Sequence, residues 1–252
     1  MHHPENSDMR YVSLLLCTIG LISCHQPGYQ IRTYHENGYT LADTLLHGNV
    51  RSIPFDAYAR YAICYIGPDS GRIATGKPLP RSGRTPDPGG YLARKFDSNY
   101  MTIHVDTSHT QLQFEHSHFD TTTNRRIIDS ISLFNGMRVT LKNVSDSLLY
   151  LGNFNTLGFA YLEMQNGKKD WIRIENPSSW YSYCSTGARA NYLRPGEILI
   201  AKFPRYEGEF TANFRVVWEK YNRQKICSNE FVAPVSDLML NIVDLKTERY
   251  SE

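Results

Sequence analysis

Short runs in which apolar and polar residues alternate recur along the chain and are clearest in its C-terminal half. In residues 137–143, Val139 and Leu141 stand between polar neighbours, which is the pattern of a strand with one buried face. The pair Asn166-Gly167 lies between two such runs and suits a hairpin turn, because both residues tolerate positive φ. The same pattern predicts strands at 58–66, 100–106, 110–116, 159–165, 170–175, 197–203, 213–219 and 228–233.

Short strands separated by turn signals, with no long amphipathic helix between them, are typical of an antiparallel sandwich or barrel. We therefore predict a mainly β fold. Residues 51–126 form a β-rich N-terminal segment, which includes a long proline- and glycine-rich loop at 67–90. Residues 127–235 form a β-sandwich, and residues 236–252 form a C-terminal tail. In this tail the segment 237–246 fits a last strand or a short helix.

The N-terminal residues differ in character from the rest of the chain. Arg10 precedes an uncharged, mostly apolar run of thirteen residues, Tyr11 to Ser23, which ends at Cys24. As a helix, such a run covers roughly 20 Å, whereas the hydrocarbon core of a bilayer is about 30 Å thick. Its layout is therefore that of a secretory signal peptide rather than a membrane span. The alternative is a buried helix that precedes a domain.

The run closes with Leu-Ile-Ser before Cys24, and this sequence resembles the lipobox of bacterial lipoproteins. The resemblance implies that signal peptidase II removes residues 1–23 and that Cys24 carries a diacylglyceryl group. It also implies a lipid anchor in a membrane of the bacterial cell envelope. Residues 24–50 are polar without a sustained period and are predicted to form a tether. No acidic export signal follows the cysteine, which favours a chain that faces the periplasm.

Composition bears on the partners and on the cysteines. The formal net charge is +2, and no basic stripe with interleaved aromatic residues is present, so a nucleic-acid partner is not expected. Once Cys17 and Cys24 are assigned to signal and lipid, Cys64, Cys184 and Cys227 remain, and three thiols cannot all pair within one chain. A disulfide between Cys184 and Cys227 is our preferred pairing, because both fall in the same predicted domain. Cys64 would then be a buried thiol.

A resemblance to known domains appears in the order of strands and turns over about residues 130–235. This order is similar to that of immunoglobulin-like domains of bacterial envelope proteins, and some bacterial proteinase-inhibitor-like domains show it too. The resemblance implies a sandwich with a binding or scaffolding role, and no functional residue is carried over from it. Its pieces are Val139-Thr140-Leu141-Lys142-Asn143-Val144-Ser145, Leu193-Arg194-Pro195-Gly196-Glu197, Phe214-Arg215-Val216 and Ser228-Asn229-Glu230-Phe231.

One group of residues has the chemistry of a metal site. His116, His118 and Asp120 are spaced by two residues, so on a strand they point to one face. Two imidazoles and a carboxylate suit a divalent metal, and the motif superficially resembles the His-x-His-x-Asp of metallo-β-lactamase-like hydrolases. That family continues with a histidine where this chain has Thr121. The alternative is a polar strand edge that runs into a threonine-rich turn.

A second candidate is an aromatic-rich loop at 176–192. Aromatic side chains on a rigid sandwich could stack on sugars or dock a protein, and the alternative is that they fold under and cap the core. The aromatic residues concerned are Trp180, Tyr181, Tyr183 and Tyr192.

Three functions follow from these patterns as hypotheses. The first is a non-enzymatic envelope lipoprotein that binds or scaffolds a protein or glycan partner and needs no cofactor. The second is a metal-dependent hydrolase that uses His116, His118 and Asp120. The third is a lipoprotein that neutralises a toxin or protease, which the inhibitor-like resemblance suggests.

Overall fold

The structure is a computed structural model that describes residues 29–36, 39–46, 50–51, 55, 61–75, 99–152, 156–176, 191–219 and 224–249. Within this part of the chain it contains fifteen strands and one helix. In chain order they are β1 (Tyr29–Glu36), β2 (Tyr39–Leu46), β3 (Val50–Arg51), β4 (Ala62–Pro68), β5 (Gly71–Ala74), β6 (Met101–Asp120), β7 (Arg125–Asn143), β8 (Leu149–Gly152), β9 (Ala160–Gln165), β10 (Trp171–Arg173), β11 (Asn191–Leu193), β12 (Glu197–Pro204), β13 (Phe210–Glu219), β14 (Lys225–Cys227), β15 (Phe231–Val235) and α1 (Asp237–Arg249).

The prediction of a mainly β fold built from antiparallel sheets is confirmed, and the C-terminal half includes a sheet curled into a half-barrel. In the β7 sheet, β6 pairs with one edge of β7 and β12 with the other, while β4 extends the sheet beyond β12. The β13 sheet has the order β10-β9-β13-β14, and β15 also pairs with β13. The N-terminal sheet has the order β1-β2-β5, and β8 pairs with β11. Only the β2–β5 and β3–β7 pairings are parallel among the described strands.

The main core lies between the β7 sheet and the β13 sheet. Val139 and Leu141 of β7 are fully buried in one apolar cluster with Val216 and Trp218 of β13. These four side chains come from alternate positions of their strands, so the alternation seen in the sequence corresponds to one face turned inward. Burial of apolar surface at about 25 cal/mol per Å² makes this face the main source of stability.

The opposite face of the β7 sheet is also covered. Ile198 and Ile200 of β12 form a second apolar cluster with Ile73 of β5, which brings the N-terminal sheet onto this face. Arg138 of β7 is buried here and donates hydrogen bonds to the carboxylate of Asp106. Burial raises the pKa of Asp106, but hydrogen bonds to its charged form outweigh this effect and hold the pKa below its usual value.

The predicted tether of residues 24–50 contains two strands that the sequence pattern does not indicate. β1 and β2 pair along their whole length, from Tyr29 with Leu46 to Glu36 with Tyr39. β2 also pairs in parallel with β5.

The β6–β7 hairpin is much longer than the sequence predicts. The predicted strands 100–106 and 110–116 belong to the single strand β6, and β7 begins twelve residues before residue 137. β12 accompanies β7 only as far as Gly136, and β3 pairs with Leu133 and Phe134. Beyond these contacts, residues 113–132 form a two-stranded ribbon, which we call the arm.

The turn at Asn166-Gly167 is present, but its geometry differs from the predicted one. The residue with positive φ is Lys169, at 68°, rather than Asn166 or Gly167. The side-chain oxygen of Asn166 accepts hydrogen bonds from the backbone N–H groups of Lys168 and Asp170, at 2.9 and 2.8 Å. The connection between β9 and β10 is therefore a longer loop organised by the asparagine side chain.

The C-terminal segment resolves the choice between strand and helix. Residues 237–249 form α1, whose first turn is closed by the backbone N–H of Met239, which donates to the carbonyl of Ser236. Met239 and Val243, four residues apart on one side of the helix, are buried in the main core. Among the described residues, no helix combines the length and apolar character that a membrane span requires.

The division into a packed body and an exposed arm predicts different costs for truncating their side chains. Leu141→Ala should lower the free energy of unfolding by about 2–5 kcal/mol, because it leaves a cavity in the core. Ile128→Ala on the arm should change it by less than about 0.5 kcal/mol, since this side chain lies on the surface. Urea denaturation followed by circular dichroism measures both values, and equal losses would contradict the division.

Candidate functional sites

The candidate metal ligand Asp120 lies at the tip of the arm, where it builds the turn. Its carboxylate accepts hydrogen bonds from the backbone N–H of Thr122, at 2.8 Å, and from Thr123 Oγ1, at 2.6 Å. These hydrogen bonds lower the pKa of Asp120. Residues 121–124 form the turn, in which Asn124 has a positive φ of 53°. The threonine-rich turn of the alternative interpretation is thus present.

His118 has a carboxylate partner across the hairpin. Its Nδ1 lies 2.9 Å from Asp129 Oδ1, and both side chains are about half exposed. His116 pairs through its backbone with Ser130, but its side chain lies outside the described residues. No three His, Cys, Asp or Glu side chains in the described part of the chain are grouped to hold a metal ion. The two described candidate ligands therefore contact turn and cross-strand groups, and the metal hydrolase stays a hypothesis.

The predicted aromatic binding surface is described only at one of its residues. Tyr192 lies on β11, opposite Tyr150 of β8, and the centroids of the two rings are 5.6 Å apart. The ring is half-buried in this contact, and neither tyrosine belongs to the main core. Trp180, Tyr181 and Tyr183 lie outside the described residues. The binding surface therefore stays a prediction.

The cysteines are partly described. Cys64 is buried on β4, as predicted, and its Sγ lies 3.5 Å from the carbonyl oxygen of Ala62. Cys227 lies on the exposed side of β14, and partial burial raises the pKa of its thiol. Its predicted disulfide partner Cys184 lies outside the described residues, as does the predicted lipidation site Cys24. The disulfide and the lipid attachment therefore stay predictions.

A buried carboxylate that the sequence does not single out joins three parts of the body. Glu175 is almost fully buried and accepts hydrogen bonds from the hydroxyl groups of Tyr61, at 3.0 Å, and Tyr206, at 2.5 Å. The backbone N–H of Leu162 donates a third hydrogen bond, at 2.9 Å. Burial and the neighbouring carboxylate raise the pKa of Tyr61 well above its usual value. This network connects β4, β9 and the segment after β12.

A second ionic network lies on the outer side of the β13 sheet. Glu163 is buried and accepts two hydrogen bonds from Arg215, at 2.8 and 2.6 Å, and one from Lys225, at 2.9 Å. The guanidinium of Arg215 lies over the ring of Trp171, 4.3 Å from its centroid. Glu163 and Arg215 lie on neighbouring strands, whereas the contacts of Lys225 with Glu163 and of Arg215 with Trp171 each reach across an intervening strand, so the network acts as a tie across β9, β10, β13 and β14.

The arm presents apolar side chains to solvent on both of its faces. Phe119 is 59% exposed, Ile128 49%, and Ile127 and Ile131 41% each. Single exposed apolar residues are ordinary on a protein surface, but a group of four on one projecting element is a mark of an interaction site. The arm is not predicted from the sequence, because residues 125–132 have no face that is buried against the body and therefore show no clear apolar alternation.

Comparison of the chain with protein-family models, with curated proteins and with solved structures finds no match. The resemblance of residues 130–235 to immunoglobulin-like envelope domains therefore stays a prediction.

The raised pKa of Tyr61 predicts a loss of stability in alkali. The unfolded chain releases the phenolic proton near pH 10, while the folded chain retains it, so folding is favoured fully below about pH 10 and less as pH rises above it. Tyr61→Phe should lower the free energy of unfolding by about 1–3 kcal/mol at neutral pH, because Glu175 loses a donor. The same variant should show a shallower decline above pH 10.

Urea denaturation at several pH values between 8 and about 11, the range over which an ordinary tyrosine ionises, measures this decline. Part of the decline should remain in the variant, since burial and the hydrogen bond to Glu219 also raise the pKa of Tyr161. Identical slopes in the wild type and Tyr61→Phe would show that Tyr61 does not hold its proton in the folded chain.

Proposed function

We propose that the chain is a bacterial envelope lipoprotein, anchored to a membrane through lipid on Cys24 and facing the periplasm. Its body is a non-enzymatic binding or scaffolding protein for a protein or glycan partner. The anchor is supported by the short uncharged run that ends in Leu-Ile-Ser before Cys24. The binding role is supported by the arm, which is the observation that carries this proposal.

The arm is an unusual element to expose without a partner. A two-stranded ribbon on its own is at best marginally stable in water and is normally packed against another surface. Here the ribbon continues past the end of β12 and carries apolar side chains that the described body does not cover. An element of this kind is stabilised when a partner covers it, which is the physical reason to assign it to binding.

The candidate ligands on the arm also fit binding better than metal chemistry. The carboxylate of Asp120 is used by the turn, and His118 Nδ1 lies within hydrogen-bond distance of Asp129. These contacts join the two strands at the tip and favour the turn conformation that a partner would meet. A tip with exposed polar and apolar groups suits recognition of a protein or a glycan.

The lipid anchor predicts a specific chemical state of the N-terminus. In a bacterial host that acylates lipoproteins, the mature chain should begin at Cys24, carry acyl groups there and sediment with membranes. Cys24→Ser should abolish acylation, whereas Cys17→Ser, a matched change within the same apolar run, should leave it intact. Mass spectrometry of the N-terminal peptide decides the matter, and an unacylated wild-type chain would contradict the anchor.

The arm predicts loss of the partner when it is shortened. Residues 117–129 are replaced by Asn-Gly, which joins the paired residues His116 and Ser130 through a two-residue hairpin turn. The melting temperature of the body should not change. The partner, which is identified by in-cell cross-linking and quantitative mass spectrometry of the wild type, should no longer be cross-linked to the shortened chain. Val232→Lys, at an equally exposed apolar residue on β15, is the control that should retain it. An unchanged partner set after shortening would contradict the assignment.

A further inference from the structure

We propose that one face of the arm rests on the lipid surface that holds Cys24, so that the chain touches its membrane at two places. This inference rests on the lipid anchor proposed above and adds a contact that the anchor does not require. It also leaves the other face of the arm for the partner.

The register of the hairpin places three of the four exposed apolar residues, Phe119, Ile128 and Ile131, on one face. Along β6 and β7, His116 pairs with Ser130 and Ser117 with Ile128, so Asp129 is an extra residue on β7. In an uninterrupted strand, two residues three apart point to opposite faces. The extra residue shifts the alternation by one position and brings Ile128 and Ile131 to the same face.

Phe119 continues this row to the tip of the arm. It lies two residues beyond Ser117, the cross-strand partner of Ile128, and therefore shares a face with Ile128. At the other end, Leu133 lies two residues from Ile131 and is buried at the edge of the body. Exposure rises along the row, from 7% at Leu133 to 41%, 49% and 59% at Ile131, Ile128 and Phe119. We call this row the apolar stripe.

The opposite face of the arm is polar. His118 pairs with Ile127, and Asp120 pairs with Arg125, so these four residues share the second face. Asp129 lies on this side as well, because its carboxylate contacts His118. Ile127 therefore lies among charged and polar residues, while its neighbour Ile128 belongs to the stripe.

The stripe face also carries Arg126 and Glu115, the cross-strand partners of Phe119 and Ile131. The two faces therefore differ in their number of exposed apolar residues, three on the stripe face against Ile127 among the described residues of the other.

The dimensions of the stripe favour a lipid surface over a protein partner. The ribbon is two strands wide, roughly 10 Å, and about 26 Å long from Leu133 to Arg125 at about 3.3 Å per residue. A stable interface between proteins buries roughly 800 Å² on each partner, which is more than the apolar stripe offers by itself, whereas a partner on the opposite face can also contact the body. A lipid surface needs no shape complementarity, and a small apolar contact suffices when another anchor already holds the chain there.

The chain length between Cys24 and the fold keeps the arm near the membrane. Only residues 25–28 separate Cys24 from Tyr29, where β1 begins. At about 3.5 Å per residue, five steps reach at most about 18 Å. The described body is therefore held close to the lipid surface.

The strand order places the start of β1 on the side of the body where β6, one of the two strands of the arm, lies. β4 runs away from the arm, and Ile73 of β5 then packs back beside Tyr65 of β4, so β5 returns toward it. β2 is parallel to β5, continues beyond it and contacts β6. Tyr29 lies opposite Leu46, at the far end of β2.

Photo-cross-linking of the full-length, acylated chain in a bacterial host tests this contact. The photoreactive residue p-benzoylphenylalanine is introduced singly at Phe119, Ile128 or Ile127. Phe119 and Ile128 lie on the stripe, whereas Ile127 lies on the opposite face with similar exposure, 41% against 49% for Ile128, and is the matched control. After irradiation, mass spectrometry should find phospholipid adducts at 119 and 128 in several-fold excess over 127.

Several results would overturn the contact. Adducts at 128 to a second copy of the chain would assign the stripe to self-association, and adducts to another protein would assign it to the partner. Equal lipid adducts at 127 and 128 would show that the arm has no preferred face toward lipid. Thermal melting of each variant confirms that the body is folded.

The state of Cys24 is measured in the same samples, which keeps the two proposals apart. An unacylated Cys24 contradicts the anchor, while the adducts at 128 decide the contact of the arm in either case. With Cys24 acylated, Ile128→Asp should reduce lipid adducts at 119 about tenfold or more, the loss expected when one isoleucine no longer enters the apolar phase. Ile127→Asp should leave these adducts unchanged.

Discussion

The pairing of β6 with β7 is the constraint on which the rest of the structure depends. Over residues 136–142 β7 has β6 on one edge and β12 on the other, and Val139 and Leu141 are buried between the sheets. The same two strands continue beyond the sandwich. There no other described strand packs on their faces or pairs with the outer edge of β7. One hairpin therefore forms both the centre of the core and the arm, and the body fixes the direction in which the arm projects.

Two irregularities in this pairing set the shape of the hairpin, and each has a side-chain contact to a carboxylate beside it. Between Asp106 and Thr110 the register shifts, and the buried Arg138 binds the carboxylate of Asp106 at this point. At Asp129 the second shift occurs, and His118 contacts the extra residue from the other strand. Bulges bend and twist a hairpin, so a side-chain contact at each one stabilises a particular bend. The stripe exists because of the second shift.

Sequence analysis predicted those parts of the fold in which one face of a strand is buried. The alternation in 137–143 shows through because Val139 and Leu141 are buried against β13. On the arm, the extra residue Asp129 interrupts the alternation of apolar and polar residues, so the sequence does not indicate a strand with one buried face there. At the candidate site, spacing correctly put His118 and Asp120 on one face, but it could not show that the turn uses Asp120. Glu175 carried no signal, because an isolated glutamate in a strand is usually exposed.

The buried polar residues of the body hold its strands together, so they are poor candidates for a binding or catalytic site. Glu175 accepts hydrogen bonds from two tyrosines and a backbone amide, and Glu163 binds Arg215 and Lys225. A substrate or ligand that recruited either carboxylate would have to break contacts that join separate strands, at a cost of several kcal/mol for a buried ion pair. Binding at the arm breaks no such contact. In the arrangement that we propose, the membrane lies against the stripe face of the arm, and the opposite face is left for the partner.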